Sequence, residues 1–376
     1  MYIYLLIGLV SVLISFFAHD KNKGLKWSFL FITTFLAIRY EWGSDYTSYF
    51  EQYIEFSRAT FGLFDLERNG DLYRHQEWGW VLINRLFYYS RLGFFGMVIA
   101  LTLFENYIVY RIIQKYVSKN HYWMAIMLWY FNVMSFCINA SMMRQYLCIC
   151  LYLIVVDLMI EKKRKGYLLW SIFIIMVSIV IHRSSIVLLA SLPIFYIRIN
   201  KPKLNITLVI LVGVVFVLWD TFGVNLIEPF MTQTIEESEN LSEYMIYLGE
   251  EKTGLLSSGL GVIFQYLVFV VFLILLPRFD RKKQQPIVFL LLLSYFFAPL
   301  AAIAPLASRL ALYFSFLAPL CWVWLFEKSA KQPFLYLVFF AQIAILIRQI
   351  PQFFFSQLWM RSFFEYHTIF SAGGWM

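Results

Sequence analysis

The sequence predicts an all-α integral membrane protein: a polytopic bundle of about 12 transmembrane helices with two larger outer loops. Three observations carry this reading. The 376 residues are 61% hydrophobic and 14% charged, against about 25% charge in a soluble domain. Apolar stretches of roughly membrane-spanning length recur along the whole chain. Lysine falls in short clusters in every second connection between them.

A bilayer core needs about 20 apolar residues per helix. Candidate spans lie near 1–18, 25–39, 93–113, 122–139, 143–160, 167–182, 184–198, 204–220, 255–277, 286–304, 309–326 and 333–350. The first, MYIYLLIGLVSVLISFFA, lacks a basic flank and a small-residue cleavage site, and reads as a retained helix. The stretch 80–91 is too short and too charged to span, and reads as an interfacial or re-entrant helix. Residues 1–376 therefore form a single polytopic membrane domain, with outer loops at 40–92 and 221–254. The second of these loops is acidic and ends in IEESENLSEYMIYLGEE.

The lysine clusters around Lys21, Lys115, Lys162, Lys201, Lys282 and Lys328 mark the inner side, and Lys252 alone falls opposite. An even number of spans puts both termini outside. The net charge of +8 is dispersed in these clusters, so it indicates topology and not a nucleic-acid partner. The four cysteines, Cys137, Cys148, Cys150 and Cys321, lie in apolar segments and read as free thiols. His19, His75, His121 and His367 have no partner at metal-ligand spacing, so no metal site is assigned.

Arginine is distributed differently. Arg39, Arg144, Arg183 and Arg309 fall at outer helix ends, with Arg68, Arg74 and Arg85 in the first outer loop. The planar guanidinium is suited to phosphate and carboxylate. Such a charge near hydrocarbon costs about 2.5–3.5 kcal/mol on insertion scales, which makes it a functional candidate. Arg144 also opens a helix at its positive end, where a cation is disfavoured. Four stretches join these arginines to other polar groups. RYEWGSDYTSYF has Arg39, Gly43, Asp45, Tyr46 and Tyr49; QEWGW has Glu77, Trp78 and Gly79; INASMMRQY has Asn139, Arg144 and Gln145; IVIHRSS has His182 and Arg183. PLASRLALYF adds Arg309 and Tyr313, four residues apart on one helix face.

The order R-x-x-x-G-x-D-Y-x-x-Y, E-x-G, N-x-x-x-x-R-Q, I-H-x-S and R-x-x-x-Y-F resembles the EpsG-like group of Wzy-type O-antigen and exopolysaccharide polymerases. Here these are Arg39 to Tyr49, Glu77 and Gly79, Asn139 with Arg144 and Gln145, Ile181 to Ser184, and Arg309 to Phe314. The resemblance covers about residues 35–320. It implies a bacterial inner-membrane enzyme with its site facing the periplasm, and makes the two outer loops periplasmic. The substrate would be an undecaprenyl-pyrophosphate-linked oligosaccharide, with membrane lipid around it and no cofactor. A chain-length regulator and a flippase are candidate partners.

On that reading Arg144 and Arg309 stabilise the departing pyrophosphate without a metal, with Arg39 and Arg183 in reserve. His182 is the first candidate base, and Asp45 and Glu77 are alternatives. Tyr46, Tyr49 and Trp78 would stack on sugars, with Asn139, Gln145 and Tyr313 completing the binding set. Two other classes stay open. A lipid-linked oligosaccharide flippase should carry charge deep in its helices, where only Glu105 and Asp157 qualify. A ligase-like periplasmic glycosyltransferase would share the Arg and His chemistry and differ in its acceptor.

Overall fold

The computed structural model describes residues 1–58, 77–162, 165–197, 207, 260–301, 305–329, 333–356 and 359–371. The described chain is all-α apart from one two-stranded bridge. The helices are α1 (Tyr2–Phe17), α2 (Lys21–Ala37), α3 (Tyr46–Arg58), α4 (Trp78–Tyr89), α5 (Gly93–Tyr116), α6 (Tyr122–Tyr130), α7 (Val133–Ser141), α8 (Met143–Glu161) and α9 (Tyr167–Ile181). There follow α10 (Val187–Ser191), α11 (Leu260–Leu275), α12 (Gln284–Ala301), α13 (Pro305–Ser315), α14 (Ala318–Ser329), α15 (Phe334–Phe354) and α16 (Met360–Phe363). Strand β1 (Arg39–Tyr40) pairs antiparallel with β2 (His367–Thr368).

Three of these helices, α5, α8 and α15, are long and apolar enough to cross a membrane. Several more, α1 and α9 among them, are apolar but shorter. The expected span at 204–220, apart from residue 207, and the acidic loop at 221–254 lie outside the described residues.

Local chemistry explains where the helices differ from the expected spans. The stretch 122–139 is two helices, because the Asn132 side chain accepts the Ser135 N–H at 3.3 Å and starts a new one. The stretch 309–326 is likewise divided between α13 and α14. The short helix expected at 80–91 forms as α4. The stretch 40–92, expected as a loop, contains a second helix, α3, whose Tyr46, Tyr49 and Phe56 form a buried stripe.

The described chain forms two compact units. The first comprises Met1–Leu158, Gly166–Ser185 and Trp322–Met376; the second comprises Met159–Lys165 and Ile186–Cys321. In the second, α12 packs against α13, and Asp280 ahead of α12 accepts the Lys282 and Lys283 N–H groups. In the first, α1 packs on α2, and α2 on α5. The four cysteines are free and buried.

Both termini of the first unit meet beside the turn after α2. The Met1 amine donates to the Phe364 carbonyl, and Ile369 N–H donates to Ile38 O at 2.9 Å. Trp42 Nε1 donates to Phe363 O at 3.1 Å, and Gly43 N–H to Ser362 O at 3.0 Å. The C-terminal segment is thus built into the first unit. A different group of polar residues lies towards the far end of α8. Lys115 Nζ and Tyr116 Oη both donate to Asp157, at 2.5 and 2.7 Å. Roughly 20 Å of helix, at about 1.5 Å per residue, separates Asp157 from Arg144.

Candidate functional site

Three sequence-distant residues meet at one carboxylate in the first unit. Glu77 stands immediately before α4, Arg144 is the second residue of α8, and His182 follows the last residue of α9. Arg144 Nη1 donates to Glu77 Oε2 at 2.5 Å. His182 Nδ1 lies 3.1 Å from Glu77 Oε1, and the Arg183 backbone N–H reaches the same oxygen at 3.5 Å. The side chains of Glu77 and His182 are only 13% and 11% exposed.

Glycine at position 79 makes this meeting sterically possible. A Cβ there would stand 2.8 Å from Val180 O and 3.0 Å from Ile181 N, both backbone atoms at the end of α9. The bare backbone lets α4 lie against α9, which carries Glu77 to His182. Gly79→Ala is therefore expected to push the helices apart, costing about 1–3 kcal/mol. A thermal midpoint unchanged from wild type in detergent would overturn this.

The electrostatics assign separate roles. Burial acts to raise the pKa of Glu77, but the hydrogen bond from His182 and the neighbouring Arg144 guanidinium outweigh it and bring it down to about 2. Glu77 is therefore ionised at neutral pH and can only accept hydrogen bonds. His182 Nδ1 then carries the hydrogen of this contact, and in the tautomer with a single N–H the lone pair is on Nε2. Nε2 is buried and has no hydrogen-bond partner among the described residues. An imidazole and a guanidinium are thus aligned by the two oxygens of one carboxylate.

The opening motif comes up against the same group. The Arg144 guanidinium lies over the Tyr49 ring, 5.6 Å from its centroid, and Tyr49 packs edge-on against Trp80 at 5.1 Å. Burial pushes the Tyr49 hydroxyl pKa up, against the pull of Arg144. Asp45 N–H donates to Ser141 Oγ at 3.0 Å, and Ser44 Oγ lies 3.1 Å from the same atom. Gly43, with φ of +132°, allows this approach: a Cβ there would lie 3.1 Å from the Ser141 Cα. The turn from Gly43 to Asp45 is therefore fastened to the residue ending α7, just ahead of Arg144.

The other candidates differ in their surroundings. Trp78 begins α4 and is 36% exposed, and the Arg183 side chain is exposed. Gln145 is buried. Tyr46 is buried and donates from its hydroxyl to Arg39 O at 3.2 Å. Arg39 is itself 2% exposed, and its guanidinium donates to Leu36 O, Thr102 Oγ1 and Ala140 O. Tyr313 is fully buried in the second unit. The side chains of Asn139 in α7 and Arg309 in α13 lie outside the described structure. Ser44, Ser141 and Trp80 were absent from the sequence-derived set. Spacing along the chain carries no signal for Ser141, because its partners lie almost a hundred residues earlier.

An all-helical membrane protein with a buried Arg–Glu–His cluster where helices α4, α8 and α9 end is the class that fold and site define. The family model of the EpsG family matches residues 25–368, and the chain belongs to that family. Membership is consistent with a glycosyltransferase-like polysaccharide polymerase acting on a lipid-linked saccharide. No curated protein and no solved structure matches the chain.

Proposed function

We propose that this protein is a polymerase that joins undecaprenyl-pyrophosphate-linked oligosaccharide repeat units into O-antigen, capsular or exopolysaccharide. It does so at the periplasmic face of the bacterial inner membrane, within a bundle of about 12 spans. The observation that carries the reading is the single carboxylate of Glu77, which holds Arg144 and His182 together. The lysine pattern of the sequence supports an outer position for this cluster.

The reaction follows from those roles. A hydroxyl of the acceptor unit gives its proton to His182 Nε2 as its oxygen bonds to the anomeric carbon of the donor. The bond from that carbon to the pyrophosphate oxygen breaks, and the lipid pyrophosphate leaves with the electron pair. Arg144 stabilises the charge that develops on it. Arg309 is retained as a second pyrophosphate contact on its sequence motif. Glu77 aligns the base and the cation and takes no proton itself. Tyr49 and Trp80 form the wall beside Arg144, and Asp45 on its turn is the candidate contact for the acceptor. The chain-length regulator and the flippase remain candidate partners on the family resemblance.

The test uses the native host with this gene deleted and complemented by variants of confirmed membrane level. Deletion is expected to leave one repeat unit on the lipid core, and Arg144→Ala to match it, with polymer reduced about 10²–10³-fold. Arg144→Lys keeps the charge but loses the fork, and is expected to fall between. If no repeat unit reaches the surface, the protein exports or ligates, and the polymerase reading fails. The flippase reading rests on Glu105, a buried acid within α5.

A further inference from the structure

The turn that presents Asp45 has an unusual backbone. Glu41 stands at φ +49°, a left-handed conformation that non-glycine residues adopt infrequently, and Gly43 stands at φ +132°. Such a conformation persists where surrounding contacts hold it. Between the two lies Trp42, 1% exposed although it belongs to no helix or strand. Ser141 holds the later part of the turn, through Ser44 and Asp45. The earlier part is held by a segment that lies 321 residues further along the chain.

That segment runs through α16 and β2. The indole Nε1 of Trp42 donates to Phe363 O at 3.1 Å, and the Gly43 N–H donates to Ser362 O at 3.0 Å. The Trp42 ring meets Phe363 edge-on at 5.2 Å and Phe35 of α2 at 5.3 Å. The Tyr366 hydroxyl donates to Phe35 O, and its ring stacks on Phe35 at 4.5 Å. Strand β2 then pairs with β1, with His367 opposite Tyr40. The segment therefore grips the chain at Phe35, at Tyr40 and at Trp42 and Gly43, two residues before the partly exposed Asp45.

We propose that this C-terminal segment is a positioning element of the candidate site: it fixes Trp42 and Gly43, and through them sets where Asp45 is presented. Trp42 is the positioning residue and touches no substrate, since its ring is buried and its N–H is taken by Phe363 O. The effect on activity rests on the polymerase reading, with Asp45 as the acceptor contact; the packing of the segment does not.

The test compares Trp42→Phe and Tyr366→Phe with wild type in the full chain. Each variant keeps an aromatic ring and removes one hydrogen-bond donor. Each is expected to lower the thermal midpoint of the detergent-purified protein by roughly 2–6 °C. Polymer per folded protein in the complemented deletion strain is expected to fall about tenfold for Trp42→Phe and about threefold for Tyr366→Phe. Both changes are also made in an Asp45→Asn background. There Trp42→Phe is expected to add less than about twofold, because the group it positions has already been altered. An equal fold loss in both backgrounds shows that Trp42 acts on something other than Asp45, and overturns the proposal. Full polymer per folded protein from Trp42→Phe reduces the segment to packing, and overturns it as well. If Trp42→Phe does not reach the membrane, Tyr366→Phe, which leaves the turn itself unchanged, carries the same comparison. Deletion that leaves polymer unchanged defeats the polymerase reading; deletion that removes polymer while Trp42→Phe retains it defeats the positioning role alone.

Discussion

Replacing His182 by alanine is expected to abolish polymer while leaving the protein in the membrane at its normal level. The ring carries a nitrogen, Nε2, that makes no hydrogen bond among the described residues, whereas the Glu77 carboxylate is already held by two donors. Removing a positioned general base costs about 10²–10⁴-fold in rate. The fold should tolerate the change, since Glu77 keeps its bond to Arg144. His182→Gln is a useful second variant: it can still donate to Glu77 but has no basic nitrogen, and is expected to be equally inactive. The measurement is the length of surface glycan in the complemented deletion strain, with the variant quantified in membranes. Full-length polymer from either variant would remove His182 from the chemistry and return the assignment to Asp45.

Replacing Glu77 by glutamine is expected to damage both activity and stability, a pattern distinct from that of His182→Ala. The amide leaves Arg144 without its counter-charge in a mostly buried place. Breaking such a pair on one side costs about 3–5 kcal/mol. Activity is expected to fall about 10²-fold or more, because the carboxylate also selects the His182 tautomer. Glu77→Asp keeps the charge but is one methylene shorter, and cannot hold both partners at their present distances; an intermediate loss is expected.

The same residue sets an acid dependence. Its folded pKa, at about 2, lies below the ordinary value of 4.5, so the folded state favours the ionised form. The stability that Glu77 contributes is complete above pH 4.5 and is lost as the pH falls from there towards 2. Thermal midpoints of the purified protein across that window should fall more steeply for wild type than for Glu77→Gln. Parallel curves would show that Glu77 is not held as the geometry requires.

Much of this protein is legible from residue order. The membrane class follows from composition, because no soluble fold leaves so few charges to cover its surface. Helices α5, α8 and α15 stand within a few residues of where their apolar runs place them. Glu77, Arg144 and His182 are each recognisable as ionisable residues at helix ends, where a bilayer makes them costly. The stripe of Tyr46, Tyr49 and Phe56 that makes α3 a helix was equally available, but it is short and polar between its aromatics, and a loop rich in tyrosine conceals it.

Other features could not be read in this way. Arg39 and Arg144 look alike in sequence, each an arginine beside an apolar run. One is sealed among backbone carbonyls and the other lies over a tyrosine ring beside a histidine. The difference depends on which helices cross near each residue, and those contacts join positions up to about a hundred residues apart. Ser141 and the C-terminal segment matter for the same reason: their hydrogen bonds exist only once α2, α7 and the chain end have packed together. Helix formation and membrane partition are local, set by a residue and its near neighbours along the chain. A site assembled from three helix ends depends on the packing of those helices, which brings one carboxylate within reach of a guanidinium and an imidazole.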